Sequence, residues 1–136
     1  MRDMIVEPIG YIQSSIKSRD KAPKQGYEGA PDVWLQVHEK FTAALEGTMP
    51  GDEVILITWF HQSHRDVLAV HPRGDKNNPL TGVFATRSPD RPNPLGLHRV
   101  KVMEIKGNSL KVGPLEAIDG TPVVDIKPVL ETSTDA

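Results

Sequence analysis

The residues of this chain whose types and spacing could do chemistry crowd into one strip, Gly82-Val-Phe-Ala-Thr-Arg-Ser-Pro-Asp-Arg-Pro-Asn-Pro-Leu-Gly96. Within it, residues 87–94 place three prolines and two arginines in eight positions. Proline fixes its own φ and biases the preceding residue to extended geometry, so the strip is stiff before any ligand arrives. Guanidinium groups held this way suit bidentate recognition of a carboxylate or a phosphate. A rigid connection whose arginines pair with local acids such as Asp90 is the alternative. A second cluster runs Leu115-Glu-Ala-Ile-Asp-Gly-Thr-Pro-Val-Val-Asp-Ile-Lys-Pro128. Asp119-Gly120 marks a turn there, and its carboxylates can accept hydrogen bonds from ribose hydroxyls or an amino group, or simply cap the turn.

Other chemistry is excluded. The chain has no cysteine, which removes disulfides, thiolate-held zinc or iron–sulfur clusters and a thiol nucleophile together. It has no Gly-rich dinucleotide or Walker-type loop and no Gly-x-Ser-x-Gly elbow. His61, His64 and His71 near Asp66 invite a metal reading, but their spacing matches no metal signature, and no metal site is expected. The net charge of −2 hides segregation. Residues 60–101 hold seven basic against three acidic residues, with four of the five histidines, whereas 25–59 hold one against six and 114–136 one against five. Such blocks create a local positive field for an anionic ligand, unless the fold lets them neutralise one another.

These residues need a scaffold. At 136 residues, with 38% apolar and 25% charged, the chain fits one globular domain, 1–136, with a polar tail at 131–136. No apolar run is long enough for a membrane span and the N-terminus lacks a signal-peptide pattern, so a soluble, cytoplasmic protein is expected, with no membrane partner. Twelve prolines and eleven glycines favour short strands joined by shaped loops. Strands are expected at Met4 to Ser14, Val33 to Val37, Glu53 to His61 (buried on both faces), Asp66 to Val70, Gly82 to Thr86, Arg99 to Lys106, Ser109 to Val112 and Pro122 to Ile126. Gly107-Asn108 fits a tight hairpin turn, and Glu39 to Leu45 is the one helical stretch. The fold class is therefore all-β with minor α content, a small β-barrel or sandwich with long Gly/Pro-rich loops.

Three blocks carry a family resemblance: Pro8-Ile-Gly-Tyr-Ile12 with Pro23-Lys-Gln25, the central strip Gly82 to Gly96, and Asp119-Gly-Thr-Pro-Val-Val-Asp-Ile-Lys-Pro128. With Phe60-His61-Gln62 they resemble the TsaA/TrmO-like (YaeB-like) family of S-adenosylmethionine-dependent tRNA methyltransferases. The resemblance implies a small β-barrel working as a homodimer, with S-adenosyl-L-methionine near the subunit interface. It also implies N-methylation of threonylcarbamoyladenosine beside the tRNA anticodon. Carried onto this sequence, the cofactor contacts are Lys24, Gln25, Gly26, His61, Gln62, Arg87, Leu97, Glu116, Ala117, Ile118 and Asp119. Arg87 is expected to meet an anionic group, Glu116 or Asp119 the ribose or amino groups, and Leu97 to pack. His61 is nominated as the proton acceptor, and Arg65, Arg73, Arg91 and Arg99 as phosphate contacts. Ser15 stands where many relatives have proline, and Lys24 where arginine is common. The chain is expected to stop just after the barrel, where longer bacterial relatives carry a C-terminal domain. Two other readings stay open at this point: a methyltransferase for a non-tRNA small molecule, and a non-catalytic barrel that binds cofactor or RNA.

Overall fold

Alternation decides the architecture. In the strand Glu53–Trp59 (β3), Val54, Leu56 and Thr58 are buried while Ile55, Ile57 and Trp59 are only partly covered. The same period of two runs through Val33–Val37 (β2), where Val33, Leu35 and Val37 point inward, and through Leu95–Lys106 (β6). The computed structural model describes residues 3–17 and 30–130. With Gly10–Gln13 (β1), Ser109–Gly113 (β7) and Pro122–Pro128 (β8), these strands close into a barrel in the order β1-β2-β7-β6-β3-β8. Every ladder is antiparallel. Ala69–Val70 (β4) and Thr81–Gly82 (β5) form a separate two-stranded ribbon.

Leu35, Leu56, Val102, Leu110, Val112 and Val123 fill the interior. Each buried aliphatic side chain contributes about 1.5–3 kcal/mol of transfer free energy before the cost of ordering. A barrel of eight strands is only just wide enough for side chains to fill it. Six strands leave less room, so any ligand must sit at an end of the barrel or on its outside.

The registers sort the connections into two ends. The C-terminal ends of β1, β3 and β7 and the starts of β2, β6 and β8 gather at one end, since Gly10 pairs with Val123, Thr58 with both Val123 and Gly96, and Val33 with Val112. We call this the loop end. The opposite end carries the Gly107-Asn108 turn, where Lys106 pairs with Ser109, and the 3₁₀ helix Glu39–Leu45. That helix is the expected helical stretch, wound more tightly than an α-helix. Seven residues are too few to form a stable α-helix alone, and here Phe41 and Leu45 dock on the core.

Other expectations are corrected. The first strand is four residues long, because Pro8 carries no N–H for the ladder. The stretch 82–86 is mostly a 3₁₀ turn, Val83–Ala85, held by Thr86 N–H donating to the Val83 carbonyl at 3.1 Å. The stretch 66–70 pairs only at its last two residues. β6 starts at Leu95, four residues before the expected start, and overhangs β7, whose last partner is Lys101. Nor is β3 buried on both faces. Its outer residues Ile57 and Trp59 lie opposite Leu97 and Leu95 of β6, an apolar strip on the outside of the barrel.

Candidate functional site

Between Phe60 and Pro94 the chain leaves the loop end and returns, and Phe60 N–H donates to the Pro94 carbonyl at 2.8 Å to close the neck. The two limbs are fastened by side chains. Arg65 donates from Nε to the Pro92 carbonyl at 2.7 Å and from Nη2 to Asn93 Oδ1 at 2.9 Å, with its guanidinium 5.1 Å from the Trp59 ring centre. Asp90 Oδ1 accepts from His64 N–H at 2.8 Å. Arg91 reaches three backbone carbonyls, those of Thr86 and Ser88 through Nη1 at 3.1 and 3.0 Å and that of Val83 through Nη2 at 2.8 Å. Arg91 therefore ties the strip into a fixed loop, reinforcing what the prolines begin. Arg87 projects from the same loop into solvent and makes no hydrogen bond or ion pair among the described residues. The two arginines, alike in sequence, have opposite parts: one holds the loop and the other is presented by it.

Inside the same end lies a buried polar chain. The side chain of His98, on β6, is only 4% exposed. Its Nδ1 lies 3.0 Å from Glu116 Oε1 and its Nε2 lies 2.8 Å from Thr58 Oγ1. An ionised carboxylate can only accept, so Nδ1 carries the proton and, in the neutral ring, Nε2 accepts from the Thr58 hydroxyl. The edge of the Phe60 ring meets the imidazole at 5.8 Å between centres. Gly96 makes the space: a Cβ there would stand 2.5 Å from Thr58 Oγ1, 2.5 Å from Phe60 Cζ and 2.7 Å from His98 Nε2.

Asp119 sits in the tight turn before β8 and stitches it to the chain leaving β1. Its Oδ1 accepts from Ser14 N–H at 2.9 Å and its Oδ2 pairs with Lys17 at 3.1 Å. The Ser14 N–H, followed by the Lys17 ammonium, holds the Asp119 carboxyl below the usual carboxylate range. Asp119 N–H donates to Ile16 O at 2.6 Å and Gly120 N–H to Ile12 O at 2.7 Å, completing the seam.

The remaining expected residues fall around this end. His61 is exposed just past β3, and Gln62 follows it, also exposed. Ala117 is buried in the core, so its side chain packs rather than faces a ligand, and the Ile118 carbonyl is taken by Thr121 N–H and Oγ1. Leu97 is 53% exposed and points outward, away from its neighbour His98. Lys24, Gln25 and Gly26 lie outside the described residues, in a connection bounded by Lys17 and Ala30. Of the expected phosphate contacts, Arg99 pairs with Glu53 at 2.8 Å, and Arg65, Arg73 and Arg91 all have partners within the chain. His71 Nδ1–H donates to the Asn78 carbonyl at 2.9 Å, a structural part. Among the described residues no three His, Asp or Glu side chains converge on a cation position.

Comparison with known proteins decides the kinship. The model of the tRNA-methyltransferase O N-terminal domain matches residues 11–135. The chain belongs to this family. An S-adenosyl-L-methionine-binding protein of Archaeoglobus fulgidus is 39% identical over 124 residues, covering 91% of this chain and 88% of its own. A probable S-adenosyl-L-methionine-binding protein of Methanocaldococcus jannaschii is 46% identical over 97 residues, 68% of this chain and 77% of its own. The crystal structure of TrmO from Pseudomonas aeruginosa superposes with a TM-score of 0.76 at 31% identity, covering 99% of this chain. This TrmO-family chain spans only 61% of that structure's length.

Sequence reasoning gave no part to Thr58 or His98, and quoted Phe60 and Gly96 only as motif residues. A signal was present: Gly96, His98, Val100 and Val102 share one parity, so running the alternation back from the strand interior puts an imidazole inside the barrel.

Proposed function

We propose that this TrmO-family protein is an S-adenosylmethionine-dependent methyltransferase that N-methylates threonylcarbamoyladenosine beside the tRNA anticodon. The observation that carries the reading is Arg87, a guanidinium without a protein partner among the described residues, on a loop that Arg91 locks. Family membership and the S-adenosylmethionine-binding relatives supply the ligand class.

The residues suit the donor's chemistry. Arg87 offers a fork for the methionine carboxylate. Glu116, whose Oε1 accepts from His98 Nδ1, has carboxylate acceptors suited to ribose hydroxyls or an amino group. Leu97 offers an apolar wall on the outer face. Lys24, Gln25, Gly26, His61, Gln62, Ile118 and the backbone of Ala117 complete the set. Asp119 is engaged by Ser14 and Lys17, so its first part is to fix the turn that carries Glu116. Bound here, the donor supplies an electrophilic sulfonium methyl. The protein's contribution is alignment of the acceptor nitrogen, which can supply much of the acceleration in an in-line displacement. His61, exposed just past β3, takes the proton that the substituted nitrogen loses.

Arg65, Arg73, Arg91 and Arg99 are proposed to meet tRNA phosphates. Arg65 and Arg99 are exposed, and a guanidinium has five N–H donors, so their internal bonds leave capacity for a phosphate. A second copy is proposed to cover the outer strip of Ile57, Trp59, Leu95 and Leu97, which brings Leu97 beside a donor held at a subunit boundary.

Calorimetry with S-adenosylmethionine is expected to give a saturable heat, and its absence refutes the cofactor assignment. Mass spectrometry of tRNA nucleosides treated with protein and cofactor is expected to show methylated threonylcarbamoyladenosine. Cofactor binding without that product assigns a non-tRNA acceptor or a non-catalytic binding role.

A further inference from the structure

His98 is the one ionisable side chain among the buried described residues, and the methyl-transfer reading leaves it without a task. Burial and engagement of both ring nitrogens keep it from meeting substrate, so it is no catalytic base. Yet the chain is built around it. Gly96 clears the space that the ring and Thr58 occupy, and Thr58 is itself fully buried, with His98 as its hydroxyl partner. A barrel needing only packing would be served by a leucine at this inward position, at no risk of an unsatisfied buried nitrogen. The line of contacts runs outward. Thr58 is 0% exposed, the imidazole side chain 4%, and the Glu116 side chain 22%. Its far end is thus a carboxylate at the surface of the loop end, in the segment that also carries Asp119.

We propose that His98 is a positioning residue of the methyl-donor site. Its Nδ1–H holds the Glu116 carboxylate in the orientation that ligand hydroxyl or amino groups meet, and Thr58 sets the ring. This rests on the reading of Glu116 as a cofactor contact. An exposed glutamate samples many rotamers that ligand binding must freeze, whereas one anchored by a buried imidazole is ordered beforehand. A carboxylate accepts several hydrogen bonds, so the anchor does not exhaust it.

The test uses the whole chain and two readouts. Long-range proton–nitrogen NMR of the ligand-free protein is expected to show His98 as the Nδ1–H tautomer with Nε2 accepting, and an Nε2–H tautomer overturns the proposal. Calorimetry with S-adenosylmethionine is then run on Glu116→Gln, His98→Leu, the double variant and His98→Asn. Each of the first two is expected to weaken binding about tenfold, with the double variant no more than about twofold worse than either single. His98→Asn keeps an N–H donor near the Nδ1 position and is expected to restore affinity to within about threefold of wild type. Losses that multiply in the double variant, wild-type affinity in His98→Leu, or no rescue by asparagine each overturn the proposal. If His98→Leu fails to fold, Thr58→Val takes its place: weakened binding supports the proposal, and wild-type affinity with a changed tautomer overturns it. Wild-type protein that gives no heat refutes the cofactor reading and the positioning role together. Binding that ignores His98 refutes only the positioning role.

Discussion

At one end of the barrel the connections are short and satisfy their own polar groups. Gly107 turns the chain at a φ of 59°, Asn108 donates from Nδ2 to Thr42 Oγ1 at 2.8 Å, and Asp52 accepts from Met49 N–H at 2.9 Å. At the loop end the connections run longer, and side chains distant in sequence must fasten them: Asp119 to Ser14, Arg65 to Asn93, His98 to Thr58 and Glu116. One end is closed mainly by turn chemistry, with Asn108 also reaching across 66 residues to Thr42. The other is held open to shape by long-range polar contacts, which cost more to satisfy and leave groups such as Arg87 facing out. The strands supply stability to both ends, and the difference lies in what the connections are asked to hold.

The largest expected break is Gly96→Ala. Its methyl enters the space of Thr58, Phe60 and His98, which should cost about 2–3 kcal/mol of stability and lower the melting temperature. Next, Arg91→Ala removes three hydrogen bonds from a charged group and should cost about 2 kcal/mol. It should also weaken S-adenosylmethionine binding through the loosened loop, so one variant shifts both the melting curve and the calorimetric titration. Arg87→Ala should weaken cofactor binding about tenfold, or about 1.4 kcal/mol, with the melting temperature unchanged. Unchanged affinity would remove Arg87 from the site. Gly107→Ala tests the other end. The positive φ there should cost about 1 kcal/mol in a thermal melt while calorimetry gives wild-type affinity.

The smallest effect concerns acid. The Asp119 carboxyl titrates lower when folded than when unfolded, so its contribution is fully present above the unfolded value and fades as pH falls through the folded one. Asp119→Asn should therefore be less stable than wild type near neutrality, with the gap closing in denaturant titrations at progressively lower pH. A constant gap would show that the carboxylate's charge is not what joins the turn to β1.

The barrel was legible because period-two alternation is a local signal: Val33 to Val37 and the Gly107-Asn108 hairpin follow from neighbours alone. The start of β6 was not, because Pro92-Asn93-Pro94 reads as the end of a loop and Gly96 as a poor strand residue. Leu97 was legible as a residue of interest, but its outward direction depends on the register with Ile57. The split between Arg87 and Arg91 depends on carbonyls up to eight residues back, which only the folded 3₁₀ turn brings within reach. The His98 relay was hidden most deeply, since its partners lie 40 and 18 residues away in the chain.

Strand β6 sends Gly96, His98 and Val100 inward and Leu95, Leu97 and Arg99 outward. Loss or gain of a single residue at about position 100, with the strand beyond it held in register, would exchange the two sets, driving a guanidinium into the oily interior and stranding the imidazole in water. A change of two would restore the parity. Among natural or engineered versions of this chain, length variation just ahead of position 101 should therefore arrive in even steps, while the excursion between 61 and 94 is under no such parity rule.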